Sequence, residues 1–350
     1  MSKKSNQSWF HPAYAIDLAR EVLDPLAKYY FRLQQVGLED LPDPNQGRSI
    51  IFAANHAGRS FPWDGILLDY AVSMYWHEQL GFPVEEKPRA LVDRQVTLLK
   101  RNFLFRIVKW WYRVGCVDAT ARNFVNLLKQ GKHVIIFPEG VPGIARDFKD
   151  RYKLMPFKTP MLRLATKHNA YIIPVTIVGS EYFHPYANRN RLFDIIARLL
   201  KLPYLHLSPI IFFLLVFPFM YYGVLPAPVT IHFGKPIEPS ELIDEGMDWD
   251  TATERFRAIV QKQLEEDRKK YDRGNDFKGL ISSLKRAPEP FWKLLPLYWP
   301  HRFIKHARKY TPEIFQTLPN PWWFWIPILG LYDPSVLRKK KHSESEQEKS

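Results

Sequence analysis

The sequence predicts an α/β protein, in which helices pack on the faces of a sheet. Four short runs are rich in β-branched and aromatic residues, as buried strands are, and they lie at 49–54, 133–137, 171–178 and 229–233. The gaps between these runs hold segments with apolar residues at helical spacing, at 65–78, 94–113, 121–130 and 157–168. Because strands alternate with helices along the chain, a sheet covered by helices is the favoured architecture.

The composition limits the classes of protein and partner. Of the 350 residues, 46% are hydrophobic, which allows a sizeable core and excludes a wholly disordered chain. The net charge of +14 attracts anions such as nucleic acid, an anionic membrane or a phosphorylated substrate. Cys116 is the single cysteine, so no intramolecular disulfide forms, which fits a reducing compartment. The N-terminus lacks the apolar core of a secretory signal, so none is expected.

The N-terminal segment, 1–44, is predicted to be helical. Residues 13–33 place apolar side chains at helical spacing, with Asp17, Arg20 and Glu21 between them, which indicates an amphipathic helix. The apolar face of this helix has two alternatives. It packs on its own domain, or it contacts a membrane.

A long uncharged stretch lies within the main predicted domain, 45–240. Residues 202–231 contain no Lys, Arg, Asp or Glu, which is long enough to span a bilayer. Five prolines interrupt the stretch, however, and its most apolar part, "IIFFLLVFPFMYY", has only 13 residues. Such a segment suits an interfacial or re-entrant position, so 202–228 is predicted to be a membrane-contact insertion. The alternative is a hairpin buried in the core.

Three predicted segments follow the main domain. Residues 241–275 hold the long, charged C-terminal helix of the domain. Residues 276–337 mix Trp, Tyr, Phe and Pro with Lys and Arg, which favours a membrane interface; the alternative is a wrap over the domain surface. Residues 338–350 are polar and charged and are predicted to be a disordered tail.

A histidine and a carboxylate directly follow two of the predicted strands. His56 follows the first strand, in "FAANHAGRSFPWDG", and Glu139 follows the second, in "FPEG". Ligands of α/β sheets bind beyond the carboxyl ends of the strands, so the two side chains are candidates for one site. A histidine can act as a general base at neutral pH, and a carboxylate such as Asp64 would fix its tautomer. The alternative for His56 is an ordinary loop histidine.

Other chemistries lack their motifs in this chain. There is no G-x-S-x-G nucleophile elbow, no G-x-G-x-x-G and no P-loop, and the scattered histidines with one cysteine give no zinc spacing. Interleaved basic and aromatic residues can bind nucleic acid, but no nucleic-acid-binding motif is present. We therefore expect no metal, no bound cofactor and no nucleic-acid partner.

The segments "NHAGRSFPWDG" and "VIIFPEG" resemble two motifs of the glycerolipid acyltransferase superfamily. That superfamily includes the PlsC-like lysophospholipid acyltransferases and the monoacylglycerol/diacylglycerol acyltransferase-like branch. Its first motif, Asn-His followed by Asp, matches Asn55, His56 and Asp64. Its third motif, Phe-Pro-Glu-Gly, is complete at 137–140.

Further motifs extend the resemblance over about residues 45 to 240. "GCVDATARN", with Gly115 and Arg122, looks like the second motif, and the proline-bearing strand 173–175 looks like the fourth. "PFKTP", with Phe157 and Lys158, resembles the family's Phe-Lys-x-Gly. The resemblance implies an αβα sandwich around a mixed, mostly parallel sheet of the glycerol-3-phosphate acyltransferase type. The apolar insertion and the aromatic-rich C-terminal extension would be added to that fold.

The resemblance implies a membrane-associated enzyme whose active site faces the cytoplasm. It would transfer an acyl group from acyl-CoA or acyl-ACP to a hydroxyl of lysophosphatidate or of a mono- or diacylglycerol, on a membrane surface that the basic charge predicts to be anionic. His56 would be the general base and Asp64 would hold it. The alternative is a non-catalytic basic lipid-binding or scaffold protein at a membrane surface.

The resemblance and the positions of basic residues also predict substrate contacts. Glu139 is implied to hold acceptor hydroxyls, and Arg122 to meet a phosphate of the acceptor or of coenzyme A. Charge and nearness to the motifs suggest the same for Arg146 and Lys158, and the alternative for all three is an exposed basic surface. Arg59 is a substrate contact or a solvated loop residue. The predicted substrate-binding residues are Arg59, Arg122, Phe137, Pro138, Glu139, Gly140, Arg146 and Lys158. Backbone N–H groups near Gly58 or Gly140 are candidate donors to the reaction's oxyanion.

Two departures from the family pattern bear on these predictions. Most members have four residues between His and Asp, whereas this chain has seven, "AGRSFPW". Either the loop bulges and keeps the contact between His56 and Asp64, or another carboxylate orients His56. Val141-Pro142-Gly143 also replaces the usual Thr-Arg-Ser after the third motif, which slightly favours a neutral acceptor over a phosphate-bearing one.

Overall fold

A computed structural model of the chain gives the architecture. It describes residues 9–57, 61–93, 105, 107, 109–186, 195, 217–310, 318 and 320–326. The predicted contact Arg59, most of the predicted helix 94–113, the larger part of the apolar insertion and the tail 338–350 lie outside the described residues.

Seven strands form one mixed sheet. They are β1 Gln34–Val36, β2 Ile50–Ala54, β3 Arg89–Val92, β4 Val117–Asp118, β5 Val134–Ile136, β6 Tyr171–Val178 and β7 Thr230–Phe233. Their order is β1-β7-β6-β2-β5-β3-β4, and every neighbouring pair is parallel except β6 and β7. The predicted fold class, a mixed and mostly parallel sheet, is therefore confirmed.

The sheet contains four strands close to their predicted positions and others that the hydrophobic pattern does not indicate. Strands β2, β5, β6 and β7 correspond to the four apolar runs. Strand β1 is polar and largely exposed, with the sequence Gln-Gln-Val, and it pairs only with β7 at an edge of the sheet. Strand β3 is short and begins with the charged Arg89. Short or polar edge strands lack the continuous apolar run by which buried strands are recognised.

Nine α-helices of the described residues surround the sheet. They are α1 Pro12–Leu18, α2 Trp63–Leu80, α3 Trp110–Arg113, α4 Ala121–Lys129, α5 Val141–Ile144, α6 Pro160–Lys167, α7 Trp249–Tyr271, α8 Phe277–Lys285 and α9 Trp299–Ala307. Helix α7 is the predicted charged C-terminal helix. It begins at Trp249, where the carboxylate of Asp248 accepts hydrogen bonds from the N–H groups of Asp250 and Thr251.

The two faces of the sheet carry separate hydrophobic cores. In β2, Ile50, Phe52 and Ala54 point into one core, and Ile51 and Ala53 point into the other, as the alternation of a strand requires. The first core includes residues of the N-terminal helix, α2 and α9. The second includes residues of α4, α6 and α7. Helices thus cover both faces, which makes the fold an αβα sandwich.

The amphipathic N-terminal helix packs on its own domain. Helix α1 continues through π-helical turns at Ala19–Leu23 and Leu26–Tyr30, and a row of side chains four residues apart is at most 2% exposed. These side chains are Tyr14, Leu18, Val22, Leu26 and Tyr30. Of the two alternatives for its apolar face, the structure shows the one in which the helix joins the core.

The described end of the apolar insertion also enters the core. Residues Pro218–Tyr222 form a 3-10 turn, and the side chains of Phe219, Val224 and Ala227 are buried. Across the described part of the chain, no helix combines the length and the apolar character needed to cross a membrane.

Candidate active site

The loop after β2 is fixed to the sheet by Asn55. The side-chain amide of Asn55 donates to the carbonyl of Ile177 at 3.0 Å and accepts from the N–H of Ile177 at 2.7 Å. A side-chain amide can make this pair because it carries both a donor and an acceptor, like the backbone. Asn55 is fully buried, so it continues the pairing of β2 with β6 by one residue and sets the exit direction of the chain at His56.

His56 contacts Asp64 despite the long spacer. Nδ1 of His56 lies 2.7 Å from Oδ2 of Asp64. Helix α2 begins at Trp63, two residues earlier than the sequence pattern indicates, so Asp64 lies in its first turn. The N–H groups of Ala57 and Gly65 also donate to the carboxylate of Asp64, at 2.8 and 2.9 Å. The longer loop therefore keeps the contact, and Asp64 is the carboxylate that orients His56.

These contacts determine the charge of Asp64 and the tautomer of neutral His56. Burial of the Asp64 carboxyl favours its neutral form, but the charge of His56 and hydrogen bonds from His56, Ala57 and Gly65 outweigh burial and lower the pKa of Asp64 below its ordinary value. Asp64 is consequently a carboxylate at neutral pH and can only accept hydrogen bonds. In neutral His56 the proton then resides on Nδ1, which leaves Nε2 as the basic nitrogen.

The ring of Phe137 restrains the other side of His56. The two rings are stacked, with centroids 4.3 Å apart and an angle of 29° between their planes. Phe137 lies this close to α2 because Gly65 has no side chain; a Cβ at Gly65 would lie 3.3 Å from the ring. The stacked ring and the Asp64 carboxylate together hold the imidazole in one orientation.

Glu139 supports the loop that carries His56. Its buried carboxylate accepts from the backbone N–H of His56 at 3.0 Å and of Met155 at 2.6 Å, and it forms an ion pair with the buried Arg146. Gly143 makes room for it, since a Cβ there would lie 2.8 Å from Cβ of Glu139. Glu139 and Arg146, both predicted to contact substrate, therefore engage protein groups in this structure and do not line the cavity described next.

A cavity of about 380 Å³ opens beside His56, and its walls are mostly apolar. This volume is within the range of about 300–1,000 Å³ that is usual for ligand pockets. One face of α2 forms a wall, with Gly65, Asp69 and Ser73 spaced four residues apart. Other walls come from the N-terminal helix and from the aromatic residues of α3, including Ala15, Leu18, Leu23, Trp110 and Trp111.

An ion pair interrupts the apolar lining. Lys87 donates to Asp69 at 2.6 Å and to the carbonyl of Pro88 at 3.2 Å, and both members of the pair line the cavity. The side chain of Lys87 is only 7% exposed, which is unusual for a lysine unless it is paired. The sequence pattern could have indicated Asp69, because it lies one turn after Gly65 on the predicted helix. Its partner Lys87 lies outside that helix, so the pattern could not have indicated the ion pair.

The remaining predicted contacts fall in different places. Phe137, Pro138, Gly140 and Lys158 line the cavity. Lys158 is exposed at this edge, and its ammonium group lies beside Gly140, where a Cβ would be 3.0 Å from it. Arg122 is exposed in the first turn of α4 and does not line the cavity.

Gly140 is held in a conformation that other residues rarely adopt. Its φ of 62° lies in the left-handed region, and its N–H donates to the carbonyl of Phe137 at 2.9 Å. That N–H is consequently engaged and is not a ready oxyanion donor. The other candidate, Gly58, is outside the described residues.

The described residues contain no group of three or more His, Cys, Asp and Glu side chains arranged to hold a metal ion.

Comparisons with known proteins identify the family. A family model described as Acyltransferase matches residues 32–178, which include His56, Asp64 and Glu139. Uncharacterized protein Rv0502 of Mycobacterium tuberculosis is 30% identical over 265 residues, 73% of this chain and 67% of the relative. Uncharacterized protein ML2427 of Mycobacterium leprae is 30% identical over 269 residues, 73% of this chain and 65% of the relative.

Among solved structures, the chain is similar to the 1-acyl-sn-glycerophosphate (LPA) acyltransferase PlsC from Thermotoga maritima, with a TM-score of 0.43 and 18% identity over 74% of this chain and 80% of that chain. The family model and the relatives carry the assignment. The chain belongs to the acyltransferase family, the glycerolipid acyltransferase superfamily that its motifs resemble.

Proposed function

We propose that this acyltransferase moves a fatty acyl group from an acyl thioester to a hydroxyl of a glycerolipid, with His56 as the general base. The observation that carries the proposal is the position of the His56–Asp64 pair at the edge of a mostly apolar cavity. Family membership gives acyl transfer as the reaction class. The cavity supplies an environment in which a fatty chain is favourably removed from water.

The proposed reaction needs one proton carrier. Nε2 of His56 removes the proton from the acceptor hydroxyl while its oxygen attacks the thioester carbonyl carbon. The carbon–sulfur bond then breaks, and the imidazolium returns the proton to the leaving thiolate. Asp64 stabilises the imidazolium between these two steps, because its carboxylate is ionised and lies 2.7 Å from Nδ1. The transfer is direct, with no acyl group on the protein.

Glu139 is proposed to position the base. Its hydrogen bond from the N–H of His56 joins the end of β5 to the loop after β2, and the ion pair with Arg146 fixes the carboxylate. A base has to lie within hydrogen-bonding distance of the proton that it removes, so a small shift of this loop lowers the rate.

The polar end of the cavity suggests where charged substrate groups lie. Lys158 is exposed at the edge of the cavity and forms no hydrogen bond through its ammonium group to another described residue, so it can meet a phosphate of the donor or of the acceptor. Arg146 is already paired with Glu139, so Lys158 is the better candidate for that contact. We propose a membrane-bound acceptor reached from the cytoplasmic side, either lysophosphatidate or a mono- or diacylglycerol.

A panel of acceptors tests this function. The purified protein in detergent is incubated with a labelled acyl-CoA or acyl-ACP and one acceptor at a time, and the lipid products are identified by mass spectrometry. We expect an acylated glycerolipid from at least one acceptor, and no product from His56→Ala. A protein that binds these lipids but acylates none of them would instead be the lipid-binding scaffold that is the alternative function.

A further inference from the structure

The C-terminal extension has one side packed on the domain. Trp299, Phe303 and Leu294 are fully buried, and the ring of Trp299 lies 4.6 Å from that of Trp63. Trp63 directly precedes Asp64 at the start of α2, so the extension is anchored close to the candidate active site. The anchored part lies outside the region that the family model matches, 32–178.

The extension also exposes large apolar side chains. Phe277, Ile281, Phe291 and Trp292 are each between 53% and 55% exposed. Single exposed apolar residues are ordinary, but these four belong to α8 and to the 3-10 turn Phe291–Leu294, which contact each other. They form one candidate binding surface, because adjacent exposed apolar side chains mark interaction sites.

Basic side chains occupy the same side of α8. Phe277, Ile281 and Lys285 follow one another at intervals of four residues, and Lys278 lies beside this row. Lys285 and Lys278 are exposed, whereas Leu280 on the other side is buried. A stripe that mixes apolar and cationic side chains is typical of helices that lie in a lipid headgroup region.

The charge of the whole extension has the same sign. Residues 277–310 contain eight Lys and Arg but a single acidic residue, Glu289. Glu289 is itself paired with Arg302, so it does not offset the exposed cations Lys278, Lys285 and Arg286. The surface is therefore complementary to a negatively charged partner.

We propose that Phe277, Lys278, Ile281, Lys285, Arg286, Phe291 and Trp292 form a docking surface for an anionic lipid bilayer. The aromatic and aliphatic side chains enter the headgroup region, where Trp is favoured, and the cations meet anionic headgroups. The N-terminal helix, which the sequence offers as another candidate for membrane contact, has its apolar face in the core and is not available for this contact.

Docking through this surface gives the extension a role in the proposed function, on which this step rests. The surface and the Trp63–Trp299 contact belong to one packed unit, so a bilayer bound at α8 is held at a fixed position relative to His56 and Asp64. The docked protein is thereby kept at the membrane that contains its lipid acceptor.

Vesicle flotation tests the docking surface directly. The full chain is mixed with vesicles of phosphatidylcholine alone or with part of that lipid replaced by phosphatidylglycerol. We expect binding to the anionic vesicles that weakens as salt is added. Loss of one cation corresponds to a roughly fivefold loss of binding, so charge reversal at Lys278, Lys285 and Arg286 should reduce binding by at least that factor for each residue changed. The paired change Phe291→Ser and Trp292→Ser should also reduce it.

Matched changes on α7 provide the control. Ile259 is 38% exposed and Lys262 is exposed, so Ile259→Ser and Lys262→Glu alter a similar pair of side chains away from the surface. These variants should bind vesicles like the parent. Equal binding by the parent and by the surface variants would overturn the proposal, and so would equal binding to neutral and anionic vesicles. Circular dichroism confirms that each variant is folded.

Activity measurements separate this proposal from the proposed catalytic role. Surface variants should keep the parent turnover on acceptor dispersed in detergent and lose turnover on acceptor in vesicles. His56→Ala should bind anionic vesicles like the parent while lacking turnover in both. Retained vesicle turnover in the surface variants would contradict docking, and retained turnover in His56→Ala would contradict only the base.

Discussion

Two His–Asp pairs among the described residues have similar contact distances, and one of them lies beside the apolar cavity. Nδ1 of His56 is 2.7 Å from Asp64, and Nδ1 of His232 is 2.8 and 2.9 Å from the two oxygens of Asp267. The first pair lies at the carboxyl end of β2 beside the apolar cavity, whereas the second connects β7 to α7 and does not line it.

The surroundings of the two pairs are why we propose a catalytic role for only one of them. The hydroxyl of Thr176 donates to Asp267, and Gln263 donates to the same hydroxyl at 3.1 Å. This network joins α7 to the sheet, and none of its members lines the cavity beside His56. A short His–Asp contact is therefore not enough to propose a catalytic base; the adjacent cavity is what favours His56.

Replacing each histidine should give the largest contrast. We expect His56→Ala to lower kcat by about 10²- to 10⁴-fold, because the acceptor hydroxyl loses its general base. His232→Ala is the matched change in the other pair and should keep the parent kcat per folded molecule. Turnover of a labelled acyl thioester measures both, and an equal loss in the two variants would contradict the distinction between the pairs.

Glu139→Gln should affect both stability and activity. It removes the charge that compensates the buried Arg146, and breaking a buried ion pair in this way costs about 3–5 kcal/mol of unfolding free energy. Activity should also fall, since the loop at His56 loses a charged hydrogen-bond acceptor. Chemical denaturation and turnover measure the two effects. The control is Glu266→Gln on α7, an exposed position where neither effect is expected.

Asp267→Asn should affect stability alone. Hydrogen bonds to a charged group contribute about 1.5–3 kcal/mol, and Asp267 receives them from His232 and Thr176. We expect a loss of that order in the free energy of unfolding with turnover unchanged. A variant of parent stability, or one with reduced turnover per folded molecule, would show that the second pair has a different role.

The smallest predicted effect is the acid dependence of stability at Asp64. Because the folded-state pKa of Asp64 is lowered from its ordinary 3.8, its ionised form adds stability that is complete above the ordinary value. That contribution is lost as the pH falls below about 4 and through the lowered pKa. Unfolding free energies of the parent and of Asp64→Asn, measured from neutral to acid pH, should therefore converge as the pH falls; a constant gap would contradict the lowered pKa.

The fold class and the positions of the first and third motifs at strand ends can be predicted from the sequence, because both depend on local pattern. The apolar runs mark β2, β5, β6 and β7, and the ends of β2 and β5 place His56 and Glu139 together. The sequence alone does not show whether His56 contacts Asp64, because this contact depends on where α2 begins. The helical pattern indicates residue 65, whereas the helix begins at Trp63 and brings Asp64 into its first turn.

The rest of the site depends on contacts between distant segments, which hydrophobic periodicity does not contain. The pair of Asp69 with Lys87 and the cavity wall formed by the N-terminal helix both arise from tertiary packing. The second His–Asp pair is hidden for the same reason, since His232 and Asp267 are 35 residues apart.

A double-mutant cycle on His56 and Asp64 tests the central claim most directly, that the two residues act as one general-base unit. The kcat of acyl transfer is measured for the parent, His56→Ala, Asp64→Asn and the variant with both changes. If Asp64 acts through His56, Asp64→Asn slows the parent but costs almost nothing once His56 is absent. Losses that multiply independently in the double variant would contradict the unit.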